Sequence, residues 1–305
     1  MFAELALAAM AAQSPLIHVP LGKPKQVEQP RAPIETAGPA FDAVCNDNDD
    51  WDKPAPPVRI HANTYLVGTC GISSILITGS DGHILLDSGT EAGADLVIRN
   101  IRELGFNPTD VKILLHSHEH IDHVGGMGRL QQLTGAQLFA SANAAPVFRT
   151  GTPGPGDPQA GLHPPFPTPE VSRIIRNGEE VRLGNLKLTA IETKGHTHGA
   201  MSWQWVSCDV SAICRIMVYA DSLSPVSRED YKFTDHPGAL KAFRSSIKRI
   251  GALECEILMT PHPSASKMLD RMAGRTPILD PNGCKAYADV LDKRLEDRVT
   301  KEQAK

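Results

Sequence analysis

No stretch of this 305-residue chain approaches the roughly 18 consecutive apolar residues that a membrane-spanning helix needs, so a soluble protein is expected. A stripe of clustered Lys and Arg is also missing, and with a formal net charge of −4 the chain is not built to bind nucleic acid. No internal repeat is visible. The N-terminus lacks a basic n-region and Glu4 interrupts its apolar run, yet Leu5 to Ala12 ends in small residues, as the tail of a secretory signal does. Residues 1–12 are read as the remnant of such a signal. Residues 13–57 have little periodicity and much proline and charge, and read as an extended arm laid over the body. The rest, 58–305, fits one large domain: 41% of the chain is hydrophobic, and long apolar strands arrive without a break that would divide them.

Histidine, in contrast, is concentrated. The segment His116-Ser-His-Glu-His-Ile-Asp-His123 packs four histidines and an aspartate into eight residues, directly after the apolar run Val111 to Leu115, which reads as a buried strand. Neutral imidazole and carboxylate suit zinc, and the register His118-x-His120-x-Asp122-His123 supplies two pairs of ligands from one loop. His116 stands two residues outside that register and is read as a packing or supporting residue, since a further ligand would overfill the site.

Four ligands cannot close two metal shells, so others should come from other strand ends. Lys194-Gly-His196-Thr-His198-Gly199 follows the alternating stretch Leu186 to Ile191, and its glycines permit a sharp turn. Thr260-Pro-His262-Pro263 follows Glu256-Ile-Leu-Met259, with two prolines fixing the backbone around one histidine. Three strand ends with the same construction argue for one shared site.

The order of elements is mixed α and β. Ser74–Thr78 and His83–Leu86 flank Gly79-Ser-Asp-Gly82 as a hairpin, and Glu91–Leu104 has helical spacing and stops at Gly105. A helix over Met127–Leu133, a proline-rich loop over Asp157–Pro169, and a second strand set over about 173–219 follow. Helix Ala239–Ile250, strand 256–259 and a C-terminal helix from about Cys284 complete the chain. Six cysteines pair without remainder, and since the candidate ligands are all His and Asp, disulfides are expected, with 15 connectivities open.

The HxHxDH element at 118–123, Gly195-His196, Tyr219-Ala-Asp-Ser-Leu-Ser224 and Thr260-Pro-His-Pro263, in this order, resemble the metallo-β-lactamase superfamily, and most closely its class B β-lactamases of the third subclass. The likeness runs from about Trp51 to the C-terminal helix and includes Leu66-Val-Gly-Thr69, Ile84-Leu-Leu-Asp87 and Asp157-Pro-Gln159. The resemblance implies an αββα sandwich with a dizinc site at one edge of its sheets. It implies that His118, His120 and His196 hold a first zinc and that Asp122, His123 and His262 hold a second, with Asp122 also carried over as a catalytic residue.

By the same resemblance a hydroxide between the ions attacks the lactam carbonyl, and no covalent enzyme intermediate is needed. Ser222 and Ser224 would orient a water or meet the substrate carboxylate. Asp221 would stand behind the ligands, although relatives that hydrolyse thioesters place a metal-bridging aspartate near this point. The lactamases often carry proline where this chain has His198, which is not read as a ligand. The implied disulfide is Cys255 with Cys284; the accompanying pairs are Cys208 with Cys214 across a hairpin and Cys45 with Cys70 pinning the arm. The expected activity is antibiotic-resistance hydrolysis of small-molecule β-lactams in the periplasm. The alternatives are a dizinc hydrolase of lactones or thioesters, distinguished by a bridging Asp221, and a zinc-buffering protein, whose sites would be closed by four protein ligands.

Overall fold

The computed structural model describes residues 38–46 and 50–304. The reading of residues 1–12 as a signal remnant, and most of the arm, lie outside the described residues. In chain order the first half contains α1 (Gly38–Cys45), β1 (Val58–His61), β2 (Thr64–Leu66), β3 (Ile75–Gly79), β4 (Gly82–Leu86), α2 (Glu91–Glu103), β5 (Val111–Leu115), α3 (Ile121–Val124), α4 (Met127–Thr134), β6 (Gln137–Ser141), α5 (Ala145–Thr150) and β7 (Val171–Ile175). The second half contains β8 (Glu180–Leu183), β9 (Leu186–Glu192), β10 (Met201–Cys208), β11 (Cys214–Tyr219), α6 (Pro237–Gly251), β12 (Ile257–Met259), α7 (Met268–Met272) and α8 (Gly283–Gln303).

Strands β1 to β7 form one sheet in sequence order, and the second sheet runs β12-β11-β10-β9-β8. Side chains alternate across each strand, and the alternation builds the layers. Ile84 and Leu86 of β4 face the core between the sheets, while Leu85 faces the layer containing α2 and α4. On β12, Ile257 and Met259 enter the same central core and Leu258 packs beneath α6 and α8. Each sheet thus buries both faces, giving the αββα sandwich.

Two expectations change. Strand β7 pairs in parallel with β6 of the first sheet, so the second strand set begins at Glu180 and not near 173. Periodicity marks a strand but carries no information about its partner. Residues 38–45, expected within an extended arm, form α1, whose Phe41 and Cys45 are buried in the central core. Two apolar residues four apart are enough to hold a short helix when a core receives them. The disulfides join Cys45 to Cys70, Cys208 to Cys214 and Cys255 to Cys284.

Candidate metal centre

The site lies where β4, β5, β11 and β12 end and where the loop after β9 turns back. From β5 the chain stays extended through His118 and His120, then makes the single turn α3, which swings Asp122 and His123 to the other side. His118, His120 and His196 bring one ring nitrogen each within 4.8 Å of one another, and all three are buried. Asp122, His123 and His262 make a tighter triangle. Asp122 Oδ2 lies 3.0 Å from His123 Nε2 and 3.4 Å from His262 Nε2, and the two imidazole nitrogens are 3.2 Å apart. His118 also groups with Asp122 and His123, so the two sets share a wall, but the shorter spacings favour His262 as the third member.

The donors suit a metal. Tetrahedral coordination at about 2.05 Å places donor atoms about 3.3 Å apart, close to the edges of the second triangle. His118 Nε2 is buried without a hydrogen-bond partner, as a nitrogen reserved for an ion would be. Each set contains three side chains, which leaves a tetrahedral position open.

Supporting residues fix which ring nitrogen faces inward. Asp221 accepts a hydrogen bond from His118 Nδ1 at 2.8 Å, Asp157 accepts from His120 Nε2 at 3.1 Å, and the Ser224 carbonyl accepts from His196 Nδ1 at 2.8 Å. Burial, and then the imidazole of His118, push the His196 pKa down to about 3. Burial and the neighbouring imidazoles hold His118 well below the usual histidine range too. Both are therefore neutral, with lone pairs available. Burial also works against charge on His123, but the carboxylates of Asp122 and Asp87 override it and raise its pKa to about 10.

Four residues of this framework had no site role in the sequence reading: Asp157, already placed behind His120, and Asp87, Glu119 and Gln159. Asp87 ends β4 at φ +59° and is fully buried. It accepts from the backbone N–H and the hydroxyl of Ser117, both at 2.6 Å, and from the Tyr219 hydroxyl at 2.7 Å, so it ties the metal loop to both sheets. Its signal was an aspartate directly after an apolar strand. Glu119 accepts from the Thr197 hydroxyl and the Gly199 N–H, joining the loop after β5 to the loop after β9. Gly199 must be glycine, because a Cβ there would stand 2.6 Å from the Ala144 nitrogen. Gln159 places its amide 3.4 Å from both His120 Nδ1 and His196 Nε2.

The remaining expected residues are placed as follows. Ser222 is buried with its hydroxyl unpartnered, and Ser224 sits beside His196 with its Oγ 3.4 Å from Nδ1. His198 is turned away from the three inward-facing imidazoles, and its Nε2 donates to the Gly156 carbonyl at 3.1 Å. His116 accepts from the Ser141 N–H and packs edge-on against Phe148, and burial lowers its pKa to about 4. It is a neutral packing residue. Among the described residues no helix is long and apolar enough to cross a membrane.

Comparison with known proteins agrees with this geometry. Residues 67–262 match the model of the metallo-β-lactamase superfamily. The structure of MIM-1, a metallo-β-lactamase from Novosphingobium pentaromativorans, superposes with a TM-score of 0.85 at 45% identity, covering 87% of this chain and 98% of that one. The metallo-β-lactamase MIM-2 is 53% identical with a TM-score of 0.82, covering 86% and 97%. MEM-A1, a subclass B3 enzyme from a soil metagenome library, is 38% identical with a TM-score of 0.81, covering 84% and 99%. A hydroxyacylglutathione hydrolase of Methylobacterium sp. (strain 4-46) is 32% identical over 44% of this chain, and the match spans about two fifths of that relative's length, 42%. The fold, the matched superfamily model and the full-length structural matches converge: the chain belongs to the metallo-β-lactamase superfamily, and within it to the subclass B3 metallo-β-lactamases.

Proposed function

We propose that this protein is a zinc-dependent β-lactamase that opens the cyclic amide of β-lactam antibiotics. In this reading His118, His120 and His196 hold one zinc ion and Asp122, His123 and His262 hold the other. Zinc at such a site supplies a water with its pKa lowered to about 7 and a Lewis acid for the carbonyl oxygen. The chain's part is to hold two incomplete shells side by side, orient His118, His120 and His196 from behind, and offer Ser224, beside His196, and Ser222, whose hydroxyl is buried and unpartnered, as the proposed contacts of the substrate carboxylate. Asp122, whose Oδ2 lies against both histidines, is also proposed as a catalytic residue, a role that rests on the family resemblance.

The observation that carries the lactamase reading over a thioesterase is Asp221. Its carboxylate is engaged with His118 Nδ1, and its own N–H donates to the Ser202 hydroxyl, which supports the reading in which it stands behind a ligand instead of bridging two ions. Asp221→Asn should then lower activity by roughly 10–100-fold without emptying the second site.

The direct test is hydrolysis of a chromogenic cephalosporin by purified protein. Chelator should abolish turnover, added zinc should restore it, and an inhibitor that acylates a serine nucleophile should leave it unchanged. Zinc-loaded protein that spares penicillins, cephalosporins and carbapenems but opens thioesters or lactones would overturn the proposal. The three disulfides support export to an oxidising compartment, and we infer the periplasm. Six alkylatable thiols in protein taken from that compartment would count against it.

A further inference from the structure

The segment Thr152-Pro-Gly-Pro-Gly-Asp-Pro158 carries prolines at 153, 155 and 158, which have no N–H to offer, and it lies in neither sheet nor helix. Such a loop cannot hold itself through regular backbone pairing, yet it carries Asp157, the residue that orients His120, and leads to Gln159 between His120 and His196. Its carbonyls are held from outside. The Gly156 carbonyl accepts from the His198 ring at 3.1 Å, the Asp157 carbonyl from Arg228 Nη1 at 2.8 Å, and the Pro158 carbonyl from the Arg228 backbone N–H at 2.9 Å.

The donors come from the two segments that fix His196. His198 lies two residues beyond it, with its own carbonyl held by Asn143 Nδ2 at 3.1 Å. Arg228 lies four residues beyond Ser224, whose carbonyl receives His196 Nδ1. The Arg228 guanidinium is fixed on its other side by Asp230 at 2.8 Å and by the face of Tyr231, 5.4 Å away. The strap from Gly156 to Pro158 is thus tied to the same backbone that positions His196, while Asp157 on the strap positions His120.

We propose that His198 and Arg228 are positioning residues of the three-histidine metal site: by holding the carbonyls of Gly156 and Asp157, they set the placement of His120 relative to His196. This rests on the ligand assignment proposed above. It gives His198, the imidazole left over from the ligand set, a role at the site without contact to the ion. Residues one step removed from a metal are worth about 10–100-fold in its affinity, and these two act a step further out, so the lower end applies.

The test titrates zinc alone into metal-free protein, competing against a chromogenic chelator, on two backgrounds. His262→Ala leaves the three-histidine site as the complete one, and His196→Ala leaves the other. On the first background His198→Ala and Arg228→Met should each weaken zinc binding about tenfold, and His198→Gln, which keeps a donor for Gly156, should restore it. On the second background the same replacements should leave affinity unchanged, which a general loss of structure would not. Arg228→Met keeps the stem against Tyr231; if it fails to fold, the His198 pair decides. Unchanged affinity on the first background, or equal losses on both, would overturn the proposal while leaving the ligand assignment standing. Failure of both backgrounds to bind zinc would overturn the ligand assignment and this proposal with it.

Discussion

At the scale of single residues, the site divides into side chains that face inward and side chains that aim them. The inward-facing ones were legible because chemistry concentrated them: His118, His120, Asp122 and His123 fall within a span of six residues just past a strand end, and His196 and His262 repeat the construction. Of the aiming ones, Asp221 was expected behind the ligands through the family resemblance, and the others were not read, because their roles depend on partners distant in the chain. Asp87 meets Ser117 30 residues away and Tyr219 132 residues away, and nothing local to Ile84-Leu-Leu-Asp87 announces either. Asp87→Ala should therefore destabilise the fold, since it leaves the Ser117 N–H and hydroxyl without their acceptor in a dry interior and the Tyr219 hydroxyl with only the Ser73 carbonyl at 3.2 Å. Lost buried partners cost about 1–3 kcal/mol each, less where a hydroxyl can turn elsewhere, so a loss on the order of 3 kcal/mol is expected. Denaturant unfolding of metal-free protein measures it, and a loss below about 1 kcal/mol would show that Asp87 is not the hub its contacts suggest.

At the scale of elements, boundaries with a physical stop were readable and pairings were not. Strand β5 matches its apolar run, α2 begins under Thr90, whose hydroxyl accepts from the Gly93 N–H, and α4 ends where Gly135 takes φ +73°. Strand β6 went unread because Gln137–Ser141 follows α4 after only two residues and alternates weakly, and β7 was assigned to the wrong sheet for want of partner information. The C-terminal staple is where element and stability meet. Cys255 precedes the three-residue strand β12, and Cys284 lies in the first turn of α8; both are buried, whereas Cys208 and Cys214 are exposed at a hairpin end. Restricting the unfolded chain across a separation of 29 residues is worth about 3.6 kcal/mol, against about 2.2 for a separation of 6. Replacing Cys255 and Cys284 with Ala should lower Tm by roughly 5–10 °C, more than the same change at Cys208 and Cys214. Equal shifts would mean that loop length does not govern these staples.

At the scale of the whole molecule, the proposed ligand set would make the metal site a clasp between the sheets. His118, His120, Asp122 and His123 follow β5 of the first sheet, while His196 and His262 follow β9 and β12 of the second. Direct polar ties already cross this edge, among them Tyr219 to Asp87, the Ser73 N–H to the Pro261 carbonyl, the Met201 N–H to the Ser117 carbonyl, the Trp203 indole to the His116 carbonyl, and Glu119 to Thr197 and Gly199. An ion held by ligands from both sheets adds a cross-link that the unfolded chain cannot reproduce, so metal should stabilise the native state by mass action. With free zinc at 1,000 times the dissociation constant, a single site contributes about 4 kcal/mol. Tm should therefore climb with free zinc and fall on chelation even when all three disulfides are intact. The effect should also be local. The central strands β3 to β5 bury both faces whether or not metal is present, so amide exchange should accelerate on chelation at 116–126, 193–199 and 260–263 and stay slow in those strands. Exchange that accelerates only at 116–126 would show that the ions are held within one sheet's loop and do not clasp the two together, and a Tm independent of zinc would show that the native state does not bind the metal at all.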